Sequence, residues 1–160
     1  MYLNPNPNPN EKMDTTQLET ILAFYGKSSN FYYGVFAIDQ LPIIDKFPSC
    51  LIINNKPSNH EGQHWVAIYF DKKRKCEFYD SFGKHPDYYG IYEYLKKYST
   101  SIKYNNKKVQ SNVSPYCGLY CIFFLIFKLK GKSMEFFKNL YEKNPMKNDK
   151  LFTDLIEEYF

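Results

Sequence analysis

The chain has 160 residues, 44% of them hydrophobic and 24% charged, and it is rich in aromatics, with 16 Tyr and 14 Phe. That is enough apolar material for one packed domain, which excludes wholesale disorder and leaves little room for a second domain. The longest apolar run, residues 119–127, falls well short of the roughly 18 residues that a membrane-spanning helix needs. Residues 1–10 carry neither a basic start nor an apolar stretch, so the expectation is a soluble, intracellular monomer without a secretory signal. Its four cysteines, Cys50, Cys76, Cys117 and Cys121, are then expected as free thiols.

The net charge of +4 is unevenly distributed. Residues 1–70 carry −2 and residues 71–160 carry +6, while residues 72–108 alone also carry +6. A basic face toward DNA or an acidic partner is one reading, and a solvated lysine surface is the other. Arg74 is the only arginine. Arginine supplies the two-point contacts that read guanine, so sequence-specific DNA readout is not expected.

Along the chain, residues 1–13, with Asn-Pro repeats, read as a flexible tail, and residues 14–160 as a single domain. Asp14 would cap a first helix with Leu18, Ile21, Leu22 and Tyr25 on one face and Gly26 as its end. Residues 30–48 read as an aromatic, loop-like stretch interrupted by Pro42 and Pro48, and residues 50–53 as a short apolar strand stopped by Asn54-Asn55-Lys56-Pro57. Residues 65–70 and 76–79 read as a hairpin about the charged turn 71–75. Residues 87–98 show helical spacing, and residues 101–104 and 107–110 read as two strands about Asn105-Asn106. Ser114-Pro115 opens a helix that is apolar almost all round and closes at Gly131. Two amphipathic helices, capped by Ser133 and Asp149, complete an α+β fold with an antiparallel-rich sheet around a central buried helix.

Three constellations compete for chemistry. His60-Glu61-Gly62-Gln63-His64 spells a zinc-protease motif, but the motif works only on a helix, and Pro57, Gly62 and the strand from Trp65 oppose one; no metal is expected. Cys117 and Cys121 are four residues apart, which is wrong for a thioredoxin-type pair. The third is a cysteine nucleophile with a histidine base. Cys117 stands near a helix N-terminus, where a thiolate is favoured, while Cys121 lies a turn deeper in the core. His64 starts one hairpin strand and Asp80 ends the other, so Asp80 can orient His64. Gln110 would offer a side-chain N–H to a developing oxyanion, Gly118 would let a substrate backbone approach, and Trp65 would line the same site.

The order His64-Trp65, Phe78-Tyr79-Asp80-Ser81-Phe82-Gly83, Val109-Gln110, then Pro115-Tyr116-Cys117-Gly118-Leu119-Tyr120-Cys121 resembles the adenovirus endopeptidase (adenain) family. It is also similar, more distantly, to SUMO-deconjugating proteases. The resemblance implies a permuted papain-like cysteine protease fold with His64, Asp80, Gln110 and Cys117 as catalytic residues. Asp80 matches the acid of the SUMO-protease relatives, whereas the adenovirus members carry glutamate there. The family's activating peptide is disulfide-linked to a cysteine between the acid and the glutamine. No cysteine lies between Cys76 and Cys117, which leaves non-covalent strand addition. By resemblance the chain matures capsid precursors of a DNA virus or Maverick/Polinton-type element, cleaving after small residues such as Gly in the nucleus, cytoplasm or virion. Such an enzyme needs no cofactor for its chemistry, and its partners are the precursor substrate, an activating peptide and non-specific DNA, with no membrane. The alternatives are a protease of ubiquitin-like modifiers and a basic binding module with relic catalytic residues.

Overall fold

The computed structural model describes residues 11–26 and 30–159. One mixed sheet runs in the order β1 (Tyr32–Ala37), β2 (Ser49–Asn54), β3 (Trp65–Phe70), β4 (Lys75–Tyr79), β5 (Ser101–Tyr104). Strands β2, β3 and β4 are antiparallel neighbours, while β1 and β5 join parallel at the two edges. Both faces are covered, so side chains that alternate along a strand enter two different cores. In β2, Cys50 and Ile52 face one core and Leu51 and Ile53 the other, and all six residues are buried. The first core lies under α1 (Thr15–Gly26), α3 (Cys117–Leu129), α4 (Met134–Leu140) and α5 (Pro145–Tyr159). The second is closed by α2 (Tyr92–Tyr98) and the loop around Ile44.

Local chemistry explains the helix ends. Asp14 and Gln17 form a reciprocal capping box, the Asp14 side chain accepting from Gln17 N–H at 2.8 Å and the Gln17 side chain from Asp14 N–H at 2.9 Å. Helix α3 ends before Gly131, whose φ of 80° is the left-handed geometry of a helix stop. Ser133 caps α4 by accepting from Phe136 N–H.

Several expectations are corrected. Residues 30–48 are not all loop, because Tyr32–Ala37 form β1, paired parallel with β2. The tail expected at residues 1–13 lies mostly outside the described residues, but Met13 belongs to the core at 6% exposure. Residues 87–98 do not form one helix: a 3-10 turn over Pro86–Tyr89 ends at Gly90, with φ of 71°, before α2 begins. Residues 107–110 are not a strand, because the N–H groups of Val109 and Gln110 both donate to the Ser81 carbonyl, at 2.8 and 3.1 Å. Helix α3 starts at Cys117, two residues later than Pro115, with the Ser114 hydroxyl accepting from Tyr116 N–H. Asp149 caps nothing; it lies inside α5 and is buried.

The turn after β4 brings the chain against the segment that carries Gln110. Gly83 adopts φ of +70°, and a Cβ there would lie 2.7 Å from the Lys107 carbonyl carbon and 2.9 Å from Lys108 N. Gly83→Ala is therefore expected to cost about 1–3 kcal/mol through strain and backbone displacement. Urea denaturation checks this, and a variant as stable as the parent would contradict the close approach.

Candidate active site

His64 precedes β3 and Asp80 follows β4. Extending the β3–β4 register, in which Ala67 pairs with Tyr79, sets Asp80 across from residue 66 and Phe82 across from His64. His64 Nε2 lies 2.6 Å from Asp80 Oδ1, and the Phe82 ring stacks on the imidazole at 4.4 Å between centroids. His64 is 6% exposed and Asp80 0%.

Each half of this pair is fixed through its backbone by an asparagine. Asn55 Oδ1 accepts from His64 N–H at 2.9 Å, and Asn55 N–H donates to the His64 carbonyl at 3.0 Å. Asn105 Oδ1 accepts from Asp80 N–H at 2.8 Å while its amide donates to the Asp80 carbonyl at 2.6 Å. The Asn105 side chain supplies both a donor and an acceptor, as a peptide group would, and so substitutes for a missing ladder partner, whereas Asn55 continues the β2–β3 pairing with its backbone N–H and adds its side-chain oxygen.

The electrostatics follow from this burial. Burial favours the neutral imidazole, but the hydrogen bonds to Asp80 and Cys117 and the charges of both groups outweigh it, and the His64 pKa is pushed up to about 9. Burial likewise opposes the Asp80 carboxylate. The His64 hydrogen bond and charge, the Phe82 N–H and the Tyr89 hydroxyl together hold it below its usual range. With Nε2 engaged by Asp80, Nδ1 is the ring nitrogen left to Cys117.

Cys117 is the first residue of α3, and Tyr120 N–H makes the first intrahelical bond, to the Tyr116 carbonyl. By helix geometry the N–H groups of Cys117, Gly118 and Leu119 have no acceptor within the helix, and the helix dipole favours negative charge there. The other thiols sit in different surroundings: burial pushes Cys50 and Cys76 up and Cys121 well above the usual thiol range.

Gln110 bridges the two halves of the site. Its Oε1 accepts from the Ser81 hydroxyl at 2.5 Å, its Nε2 donates to the Ser114 carbonyl at 2.8 Å, and a second amide N–H is left. The segment beneath it is tied to α5. Asp149 accepts from Tyr120 hydroxyl at 2.9 Å and from Ser111 N–H at 3.1 Å, and Asn148 donates to the Val109 carbonyl at 3.0 Å.

His64, Asp80, Gln110 and Cys117 are thus brought together. Trp65 and Gly118 adjoin the group, but the space facing Gly118 is filled: a Cβ there would lie 3.2 Å from both Leu18 and Met13 side chains and 3.5 Å from Trp65. The Trp65 indole N–H donates to the Met13 carbonyl at 2.9 Å, and Lys12 Nζ donates to the Gln63 carbonyl at 2.7 Å, so the chain's own residues straddle His64 there. The expected open approach at Gly118 is corrected to a packing contact. An open cleft of about 810 Å³ lies beside it, between the residues preceding α1 and the loop before His64, with Met13, Trp65, Asn54 and Gly62 on its lining.

The zinc-like motif has no helix under it: residues 61–64 are irregular, and His60 and Glu61 are exposed while His64 is buried. Sequence reasoning missed the roles of Asn55, read as a strand stop, Asn105, read as a turn residue, and Asp149, read as a cap, and it did not single out Tyr89.

The architecture is that of the permuted papain-like cysteine proteases. The solved structure of the ASFV pS273R protease matches it with a TM-score of 0.58 over 81% of this chain and 62% of that one, at 19% identity, a likeness of fold. The profile of the adenovirus endoprotease family matches residues 32–157, and the chain belongs to that family. The protease of bovine adenovirus 7 is 34% identical over 113 residues, covering 59% of this chain and 55% of the relative. The protease of bovine adenovirus 4 is 31% identical over 112 residues, covering 59% and 56%. The chain therefore spans just over half the length of these relatives.

Asp149→Ala strips acceptors from the Ser111 N–H and the buried Tyr120 hydroxyl. It should cost about 1–3 kcal/mol and loosen the Gln110 segment. Denaturation with hydrogen exchange at residues 109–111 reads this, and unchanged protection would contradict the role given to α5.

Proposed function

We propose that the chain is a cysteine endopeptidase acting on precursor proteins of a virus or virus-like element. The observation that carries this reading is the buried His64–Asp80 pair beside the thiol at the N-terminus of α3. Cys117 attacks the scissile carbonyl as thiolate, forming the tetrahedral intermediate, and His64 Nδ1–H protonates the leaving amine as the thioester forms. A water deprotonated by His64 then hydrolyses the thioester and frees the thiol. Asp80 holds the imidazole orientation throughout. The free Gln110 N–H and the Cys117 backbone N–H receive the oxyanion. The cleft beside Trp65 takes the substrate chain, with a small residue such as Gly before the scissile bond, as the resemblance to the adenovirus endopeptidases implies.

Non-covalent strand addition of an activating peptide has an available edge in β5, one of the two edge strands, which is mostly exposed. Non-specific DNA would meet the exposed residues 72–75.

Substitutions separate this reading from the zinc motif. Cys117→Ala and His64→Ala should abolish peptide cleavage, and Gln110→Ala should lose on the order of 100- to 1,000-fold in rate. His60→Ala, Glu61→Ala and chelator should cost little. A dead Glu61→Ala enzyme beside an active Cys117→Ala one would refute the cysteine mechanism. Digestion of a capsid precursor beside a ubiquitin-like fusion discriminates maturation from deconjugation. The imidazolium is present below a His64 pKa of about 9 and lost above it, so kcat/KM should fall as pH rises through about 9. An unbroken rise through that range would contradict an ion pair.

A further inference from the structure

Asp80 is the most heavily hydrogen-bonded carboxylate in the site, and one of its partners is neither backbone nor a member of the expected catalytic set. Oδ1 receives His64 Nε2 at 2.6 Å and Phe82 N–H at 2.9 Å. Oδ2 receives Lys84 N–H at 3.1 Å and the Tyr89 hydroxyl at 2.7 Å. Tyr89 reaches Asp80 from the 3-10 turn over Pro86–Tyr89, which Gly90 closes in the left-handed conformation. The same ring lies nearly parallel to the imidazole, with centroids 6.2 Å apart and planes at 26°, and it also contacts Phe78 and Tyr88. Tyr89 therefore touches both members of the pair, its hydroxyl on the carboxylate and its ring beside the histidine.

We propose that Tyr89 is a positioning residue of the catalytic relay, holding the outer oxygen of Asp80 so that the inner oxygen stays on His64 Nε2, and drawing off part of the carboxylate's charge. The inference rests on the protease reading and adds a residue to it. The backbone N–H groups of Phe82 and Lys84 set where the carboxylate lies. The phenol is the one side chain besides His64 that bonds it among the described residues, and so the one that substitution can remove without disturbing the main chain.

A phenolic donor lowers the basicity of the carboxylate it bonds. Without it the more basic carboxylate should stabilise the imidazolium through Nε2–H, and His64 should give its Nδ1 proton to a leaving amine more reluctantly. The other groups facing the pair are Cys117 and Cys121 from α3 and, over the Phe82 ring that stacks on His64, the Lys108 ammonium at 5.6 Å from the ring centre. Tyr89→Phe leaves all of these in place and retains the ring contacts.

The test is Tyr89→Phe in the full chain, with Tyr88→Phe as the control, since Tyr88 is 69% exposed and stands next in sequence. NMR titration of the His64 imidazole should show its midpoint raised by about half a pH unit in Tyr89→Phe and unchanged in Tyr88→Phe. Peptide cleavage should lose roughly threefold to tenfold in kcat with KM unaltered. An unchanged His64 midpoint in Tyr89→Phe, or an equal shift in both variants, would overturn the proposal. The imidazole titration needs no turnover: a shifted midpoint in a chain that cleaves nothing would uphold Tyr89's role and refute the protease reading alone.

Discussion

A carboxylate with no exposed surface is bonded to an imidazole that is 7% exposed, and most of the neighbouring structure answers to that contact. Burying such a pair costs several kcal/mol per ion unless further hydrogen bonds compensate it. Here four donors converge on the Asp80 carboxylate, and two asparagines fix the backbones on either side. The β3–β4 pairing brings the two residues into register, but it ends before either, so the clamps do what the ladder no longer can.

The thiol side of the site depends on a different principle. The apolar character of α3 drives it into the core between the sheet and α5. Its starting point at Cys117, after Pro115 and the Ser114 turn, puts that one thiol at the helix end beside His64. Gln110 ties both sides together through Ser81, which follows Asp80, and Ser114, which precedes Cys117. Asp149 supports the connection from beneath. A long-range polar network of this kind makes α5, far along the chain, part of the site's support.

Much of this was legible in the sequence where the signal was local. Alternating and continuous apolar runs marked β2, β3 and β4, and the Asp14 and Ser133 caps and the Gly131 stop were read from side-chain chemistry alone. The candidate site was legible because strand ends and a helix start sit at characteristic positions in the chain. Asparagine defeated the reading twice. Asn105 reads as a turn residue, but its side chain is spent on Asp80, which dissolves the expected hairpin. Asn55 reads as a strand stop, but it pins His64. Asp149 looked like a helix cap because its partners, Ser111 and Tyr120, are distant in sequence. Met13 was assigned to a tail because nothing in its neighbourhood announces that its carbonyl meets the Trp65 indole.

The central claim is that one thiol among four is activated by one buried histidine. Brief iodoacetamide treatment followed by mass mapping, on the parent and on His64→Ala, measures it directly. Cys117 should be alkylated far faster than Cys50, Cys76 or Cys121 in the parent, and that advantage should disappear in His64→Ala. Labelling that falls first on Cys121, or a Cys117 rate indifferent to His64, would contradict the account.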